Sequence, residues 1–159
     1  MGLLASLMYR ALAWKERQRA RRAASLQPEE RGGVANPDLG VRGETLAYWY
    51  LRQAGYTVVA RNWRARSGAG ELDLVGWEGP ILAFVEVKTR SASDRNQPTP
   101  EEAVNADKRR YVARVARQFV RARRMESASC RFDVLAIETT AGARPAVRLH
   151  KGAFIPELH

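Results

Sequence analysis

The segment from Ile81 to Arg90, ILAFVEVKTR, is the feature that most constrains the fold. Successive side chains of a strand point to opposite faces, and both faces of this segment are mainly apolar. Such a strand belongs in the interior of a sheet that is covered on both sides. Glu86 and Lys88 lie two positions apart and therefore share a face. Because a buried charge is costly unless it is paired or binds a metal, we interpret them as a site, with a structural ion pair as the alternative.

A second strand-like run, Gly70–Gly76, precedes this segment and is separated from it by Trp77–Pro80, which predicts a β-hairpin. Pairing outward from that turn places Asp73 opposite Phe84 and diagonal to Glu86, on the same face of the sheet. Diagonal neighbours are about 7–8 Å apart, a distance that two converging carboxylates can span to bind one cation. The hairpin therefore predicts a site with two carboxylates.

Two carboxylates beside a lysine suit metal-assisted chemistry on phosphates. Mg²⁺ binds through one or two carboxylates together with water and substrate phosphate, and a nearby ammonium can orient a water or stabilise developing charge. We therefore expect Asp73 and Glu86 to bind Mg²⁺ or Mn²⁺ and Lys88 to assist. Only four of the 27 basic residues are lysines. Because an ammonium and a guanidinium are not interchangeable, a lysine at this position indicates a chemical requirement.

An ordered series of short motifs extends over roughly residues 40 to 155. The series consists of Gly43-Glu44-x-x-Ala47, Gly55-Tyr56, Arg61-Asn62, Gly70-Glu71-Leu72-Asp73-Leu74, Phe84-Val85-Glu86-Val87-Lys88-x-Arg90, Arg131-Phe132-Asp133-Val134 and Ala153-Phe154. On these motifs the chain resembles the YraN family of uncharacterised bacterial proteins, which is related to the PD-(D/E)XK nucleases. That superfamily includes restriction-endonuclease-like and Holliday-junction-resolvase-like enzymes.

The resemblance implies a restriction-endonuclease-like α/β core with a divalent metal at Asp73 and Glu86. It also implies that Lys88 acts at the attacking water and that Glu44, on a helix, adds a metal ligand. The Pro-Asp pair that names the superfamily is absent, and Leu72 stands before Asp73. From its position alone, Glu44 has two interpretations: a residue that faces the sheet, or a favourable charge near the positive end of the helix dipole.

The charge balance predicts a polyanionic partner, because Lys and Arg total 27 against 17 acidic residues and the net charge is +10. We expect the partner to be nucleic acid, with DNA preferred to RNA. The charge by itself is equally compatible with an anionic membrane surface, which is the alternative. The candidate phosphate contacts are Arg61, Asn62, Arg64 and Arg90 beside the site, and Arg110, Arg114, Arg117 and Arg121 along one face of a helix. A solvated hairpin end and a solvated helix face are the alternatives.

The pattern of elements predicts an α/β domain over residues 39–159. A helix over Val41–Ala54 should begin at an N-cap near Asp38 and end before Gly55. The elements that follow are the strands Tyr56–Trp63, Gly70–Gly76 and Ile81–Arg90, the loop Ser91–Pro100, the helix Glu101–Arg124 with a buried face that includes Val104 and Ala122, and the strands Arg131–Glu138 and Ala146–His150. The long helix should cross over to a strand parallel to the one before it.

Residues 1–38 are predicted to form a basic amphipathic helix and a linker. Leu3, Leu7 and Leu12 recur at helical spacing, and the basic run Lys15–Arg22 follows them. A surface appendage, a phosphate-binding arm and a membrane-surface helix all remain open. Because Arg10 interrupts the apolar run, we expect neither a secretory signal nor a transmembrane segment.

Together these features predict a metal-dependent endonuclease that hydrolyses phosphodiester bonds of DNA, including branched or damaged DNA. The alternative is a catalytically silent nucleic-acid-binding protein that keeps the nuclease-like fold. The single cysteine, Cys130, fits a reducing compartment, so we expect a cytoplasmic protein. A homodimer is an open alternative to a monomer.

Overall fold

The computed structural model of the protein describes residues 2–25, 37–68, 70–91, 106–140 and 143–154. Its elements are the helices α1 (Gly2–Ser25) and α2 (Pro37–Gln53), the strands β1 (Thr57–Arg64), β2 (Glu71–Glu78) and β3 (Ile81–Ser91), the helix α3 (Ala106–Arg123), and the strands β4 (Ser129–Thr139) and β5 (Ala146–Phe154). The α/β class and the predicted order of elements are confirmed.

The described residues form a five-stranded sheet in which the strands follow their order in the chain, from β1 to β5. β3 and β4 are parallel, and the other neighbouring strands are antiparallel. Because parallel neighbours cannot be joined by a tight turn, α3 provides the crossover between them, as predicted. β3 is the central strand, and its residues 82–86 are buried. The expectation of an interior strand at this segment is confirmed.

Helices cover both faces of the sheet. On one face, the core contains Val115 and Phe119 of α3 together with Phe84 of β3, and the two phenylalanine rings meet edge to face. On the other face, the core contains Leu51 of α2 and Val85 of β3, and α1 packs against α2. None of the described helices combines the length and the apolar character that crossing a bilayer requires.

Helix α2 begins earlier than the sequence predicts. Its first residue is Pro37, a position at which proline is favoured because its missing N–H has no helical partner to lose. Asp38 therefore lies inside the helix, and its prediction as the N-cap is wrong. The predicted end is confirmed, because Gly55 has φ +94° and the N–H of Tyr56 donates to the carbonyl of Leu51 at 2.9 Å.

The hairpin between β2 and β3 has a shorter turn than predicted. Only Gly79 and Pro80 form the turn, because the two residues before them continue β2. The predicted pairing of Asp73 with Phe84 is wrong, since Phe84 pairs with Val75. A shift of two residues preserves the side-chain faces along a regular ladder. This ladder ends at the pair Leu74–Val85, before Asp73, so the predicted face of Asp73 stays a prediction.

The sequence predicts only part of the face through which helix α3 packs. Val112, Val115 and Phe119 are buried, as are Ala116 and Val120. Because Ala116 and Val120 are buried, the packed face of α3 lies to one side of the predicted face, which included Ala122. That residue is exposed, so its assignment to the core is wrong. The predicted beginning of the helix, with Val104, and the loop after β3 lie outside the described residues.

Candidate active site

The candidate site lies where β2 and β3 stop pairing. Their ladder extends from the turn to the pair Leu74–Val85, and Asp73 and Glu86 come next at this end. Oδ2 of Asp73 accepts a hydrogen bond of 2.8 Å from the backbone N–H of Val87. The carboxylate thus occupies a position that a ladder carbonyl would otherwise take. This contact fixes the carboxylate of Asp73 beside the segment that carries Glu86.

Glu86 lies between two lysines. Its side chain is 11% exposed, and its Oε1 is 2.8 Å from Nζ of Lys88 and 2.8 Å from Nζ of Lys108. Burial alone would raise the pKa of Glu86, but hydrogen bonds from Lys108 and Lys88 outweigh burial and lower it. The structure therefore brings Glu86 and Lys88 together, as the sequence predicts, with the carboxylate ionised at neutral pH.

Lys108 was not predicted from the sequence as a residue of the site. It comes from α3, so a contact with β3 could not be inferred from local spacing. Its Nζ also lies 5.3 Å from the ring centroid of Tyr111, a cation–π distance. The scarcity of lysine is the signal that could have identified it, because Lys108 is one of only four lysines in an arginine-rich chain.

Asp73 experiences an excess of negative charge. Burial is the largest cause that raises its pKa, to about 6, and the carboxylate of Glu86 is the next. The N–H of Val87 opposes this shift, Glu44 adds to it, and Lys108 opposes it. A carboxylate in this environment is stabilised by binding a proton or a cation.

Glu44 reaches the same region from α2, because the helix lies very close to β3. A Cβ added at Gly43 would lie 2.0 Å from Oγ1 of Thr89, and Ala47 is fully buried. Oε2 of Glu44 accepts a hydrogen bond of 2.8 Å from Nδ2 of Asn62. The small residues of the Gly-Glu-x-x-Ala motif thus permit the approach that positions this carboxylate.

The donor set fits a cation held by two carboxylates. Among the described residues, no three His, Cys, Asp or Glu side chains form a metal-binding group. Glu44 is therefore not part of a three-carboxylate cluster here, and its metal role stays a prediction. The contacts with Val87 and the two lysines use Oδ2 of Asp73 and Oε1 of Glu86, and each carboxylate has a second oxygen that could coordinate a cation. One or two carboxylates suffice for Mg²⁺ when water and substrate phosphate complete the coordination.

The residues at the start of β2 contact α3 near the site. Gly70 has φ +138°, and a Cβ there would lie 1.9 Å from the hydroxyl oxygen of Tyr111. The same hydroxyl accepts a hydrogen bond of 3.3 Å from the N–H of Glu71. Because Tyr111 lies one helical turn after Lys108, this contact ties the strand of Asp73 to the helix that provides the second lysine.

The predicted phosphate contacts beside the site already have partners within the protein. Nε of Arg64 lies 3.0 Å from Glu71, and Arg90 lies 2.7 Å from Glu138. The guanidinium of Arg61 lies 4.5 Å from the centroid of a tyrosine ring of α2. The Arg64 pair is exposed and therefore weak, so this arginine retains the capacity to contact a phosphate.

The arginines along α3 face solvent with one exception. Arg110, Arg114 and Arg121 are exposed, whereas Arg117 is half-buried. Arg110 pairs with Asp107 in the preceding turn, so the stripe is not free of acidic residues. The outward orientation expected for this stripe is confirmed for three of its four residues.

The Arg-Phe-Asp-Val motif of β4 forms a separate network. Asp133 is fully buried and accepts hydrogen bonds from Arg131, from the hydroxyl of Tyr56 at 3.1 Å and from the N–H of Gly152 at 2.9 Å. Arg131 also contacts Glu78 at 2.7 Å. These residues join β2, β4, β5 and the segment before β1, so this motif stabilises the fold. Asp133 pairs with Val85 of β3, the residue before Glu86.

Comparison with known proteins identifies the family. A family model described as "Uncharacterised protein family UPF0102" matches residues 43–137, a span that includes every residue of the candidate site. The chain belongs to this family. A UPF0102 protein of Solibacter usitatus is 43% identical over 148 residues, which cover 93% of this chain and 98% of the relative.

Two further UPF0102 relatives have a similar level of identity to this chain. One, from Koribacter versatilis, is 44% identical over 116 residues, covering 73% of this chain and 78% of the relative. Another, from Geobacter sulfurreducens, is 37% identical over 127 residues, which cover 80% of this chain and 96% of the relative. The aligned region extends over nearly the full length of the relatives from Solibacter usitatus and Geobacter sulfurreducens.

Proposed function

We propose that this protein is a metal-dependent phosphodiesterase that cleaves DNA. The observation that carries the proposal is the junction of β2 and β3, where two carboxylates and two lysines meet. Asp73 has a raised pKa there, and Glu86 contacts both Lys88 and Lys108. Asp73 and Glu86 would hold Mg²⁺ or Mn²⁺, which supplies activation of water and neutralisation of phosphate charge when bound.

Within this proposal each lysine has its own task. Lys88 is 44% exposed and connects the buried Glu86 to solvent, from which a phosphate would approach. Its ammonium would orient the attacking water or stabilise charge that develops on the phosphate. Lys108 is anchored on α3 beside Tyr111 and holds Glu86 in position. The motif resemblance to PD-(D/E)XK nucleases supports the same assignment, and the net charge of +10 suits a polyanionic substrate.

One observation favours a catalytically silent nucleic-acid-binding protein as the second candidate. Glu86 is already neutralised by two ammonium groups, and a structural ion pair would have the same geometry. In that case the basic surface would bind nucleic acid, and no metal would be required. The two candidates differ in what they demand of Lys88, because only catalysis requires a compact ammonium rather than any positive charge.

Single-turnover cleavage in Mn²⁺ tests the proposal. We expect Lys88→Arg to lower the cleavage rate about 100-fold, which corresponds to about 3 kcal/mol for one positioned electrostatic contact. DNA binding in Ca²⁺ should remain unchanged. Lys151→Arg is the matched control, because Lys151 also pairs with a glutamate, Glu78, but lies outside the site. It should cleave like the wild type.

The substrates should include linear, nicked, flapped and four-way-junction DNA together with an RNA hairpin. Undiminished cleavage by Lys88→Arg would refute the proposed role of this lysine. An equal loss in Lys88→Arg and Lys151→Arg would point to a general effect of the substitution. If the wild type binds DNA but cleaves none of these substrates in Mg²⁺ or Mn²⁺, the silent binding protein becomes the better description.

A further inference from the structure

Helix α1 has two apolar faces, of which only one is packed. Its inner face contains Ala5 and Ala13, which are buried, and Tyr9, whose ring meets that of Tyr50 of α2 edge to face at 5.6 Å. This packing holds the helix along the outside of α2. The orientation of α1 is therefore fixed by the fold, and its opposite face must point away from the protein.

The opposite face exposes large apolar side chains. Leu3 is 90% exposed, Leu4 64%, Leu7 66% and Trp14 54%. We call these four residues the outer stripe. At about 100° per residue they fall within one sector of the helix, across the axis from the packed face. Single exposed leucines need no explanation, but a contiguous stripe of this kind marks an interaction surface.

Basic residues border the outer stripe. Arg10 and Lys15 are exposed, and the helical rotation places one on each side of the stripe. Arg19 and Arg21 continue the exposed positive charge toward the end of the helix. A partner for this surface must therefore accept apolar side chains at its centre and provide negative charge at both margins.

We propose that α1 binds the surface of an anionic lipid bilayer. Leucine and tryptophan side chains of the outer stripe would enter the boundary between headgroups and acyl chains, while Arg10 and Lys15 contact lipid phosphates. Helices that lie in the interfacial plane combine these features, an apolar stripe with Leu and Trp and a basic polar face. Anionic headgroups also attract each Lys or Arg that lies near the membrane surface. This inference is independent of the proposed phosphodiesterase activity.

Charge argues against other occupants. If two copies met through the outer stripe, their Arg10 and Lys15 margins would face each other, and each copy carries a net charge of +10. Nucleic acid would satisfy the arginines but offers the exposed leucines no apolar surface comparable with acyl chains. An anionic bilayer matches both the apolar centre and the basic margins.

Vesicle sedimentation with the full-length chain tests the proposal. We expect the wild type to bind vesicles of phosphatidylglycerol and phosphatidylcholine much more strongly than vesicles of phosphatidylcholine alone. Leu4→Asn/Leu7→Asn should lower the partition coefficient by about tenfold or more, because two apolar side chains no longer leave water. Val41→Asn is the matched control, since Val41 is an apolar residue of α2 that is 62% exposed. It should bind like the wild type.

A second measurement separates insertion from simple attraction between a basic protein and an anionic surface. Brominated lipids should quench Trp14 fluorescence in the wild type. Trp14→Phe should lose most of that quenching while it keeps vesicle binding. Because the outer stripe is exposed, the leucine variant should unfold at the same temperature as the wild type, which circular dichroism would verify.

The proposal fails if the wild type does not bind anionic vesicles. It also fails if the leucine variant binds them as the wild type does, because adsorption would then be purely electrostatic. Light scattering provides the remaining outcome. A wild-type dimer that becomes monomeric in Leu4→Asn/Leu7→Asn would assign the outer stripe to a second copy and overturn the lipid assignment.

Discussion

Replacing Asp73 with asparagine should stabilise the protein at neutral and alkaline pH. Burial, and then the carboxylate of Glu86, raises the pKa of Asp73 from 3.8 to about 6. The folded state therefore binds the proton more tightly than the unfolded state does. The contribution of Asp73 to stability therefore falls as the pH rises from about 4 to about 6, and above that range the penalty from this residue is constant. A rise in the pKa of Asp73 from 3.8 to about 6 corresponds to a penalty of roughly 3 kcal/mol for the ionised carboxylate.

Asparagine removes this penalty and keeps the local geometry. Its carbonyl oxygen can still accept the N–H of Val87, which Asp73 binds at 2.8 Å. We expect Asp73→Asn to raise the free energy of unfolding by about 1–3 kcal/mol at pH 8, and the gain should fall below about 1 kcal/mol at pH 4. Urea denaturation at the two pH values measures both quantities. Thermal unfolding should shift upward by several degrees at pH 8.

Asp133→Asn is the control with the opposite expectation. Asp133 lies in the same sheet but is fully buried and accepts hydrogen bonds from Arg131, Tyr56 and Gly152. Removing its charge weakens this buried network, although Arg131 keeps its contact with Glu78, so we expect Asp133→Asn to lower the free energy of unfolding. The two substitutions are chemically identical, so a difference in sign can come only from their surroundings.

Destabilisation by Asp73→Asn at pH 8, or an effect that is the same at pH 8 and pH 4, would refute the proposed surroundings of Asp73. Destabilisation would mean that the carboxylate of Asp73 is stabilised by the fold and that Glu86 and Lys88 act as a structural ion pair. Addition of Mn²⁺ extends the test to the proposed function. It should raise the unfolding temperature of the wild type and have much less effect on Asp73→Asn.

Two further predictions concern the helices. Gly43→Ala should lower the free energy of unfolding by about 1–3 kcal/mol, measured by urea denaturation, because the added Cβ would lie 2.0 Å from Oγ1 of Thr89. Thr89→Ala should recover part of that loss, and an equal loss with and without Thr89→Ala would contradict the clash. Replacing the exposed Arg114 and Arg121 with alanine should flatten the salt dependence of DNA binding by about 0.9 in log–log slope for each duplex phosphate that these arginines neutralise. Fluorescence anisotropy across a salt series measures this slope. An unchanged slope would show that the arginine face of α3 is only a solvated surface.

Local chemistry allowed much of the fold to be predicted. The period of two along a strand was enough to place Glu86 and Lys88 on one face, and the contact between them confirms it. Because the period is two, the error of two residues in register left the faces of the paired residues of this hairpin unchanged. Gly55 marked the end of α2 because a left-handed residue at that position favours glycine. The alternation of helices and strands was sufficient to predict the parallel crossover.

Tertiary structure decided what depends on elements that are distant in the sequence. The contact of Lys108 with Glu86 exists because α3 packs across β3, and no spacing along the chain reveals that packing. The register between β2 and β3 depended on how far β2 continues before its turn, and the local sequence pattern did not predict that length. The leucines of α1 all have helical spacing, but only the contact with α2 decides which apolar face is buried and which remains exposed. A sequence specifies periodicity and local turns directly, whereas the choice of partner depends on the free energy of packing the whole chain.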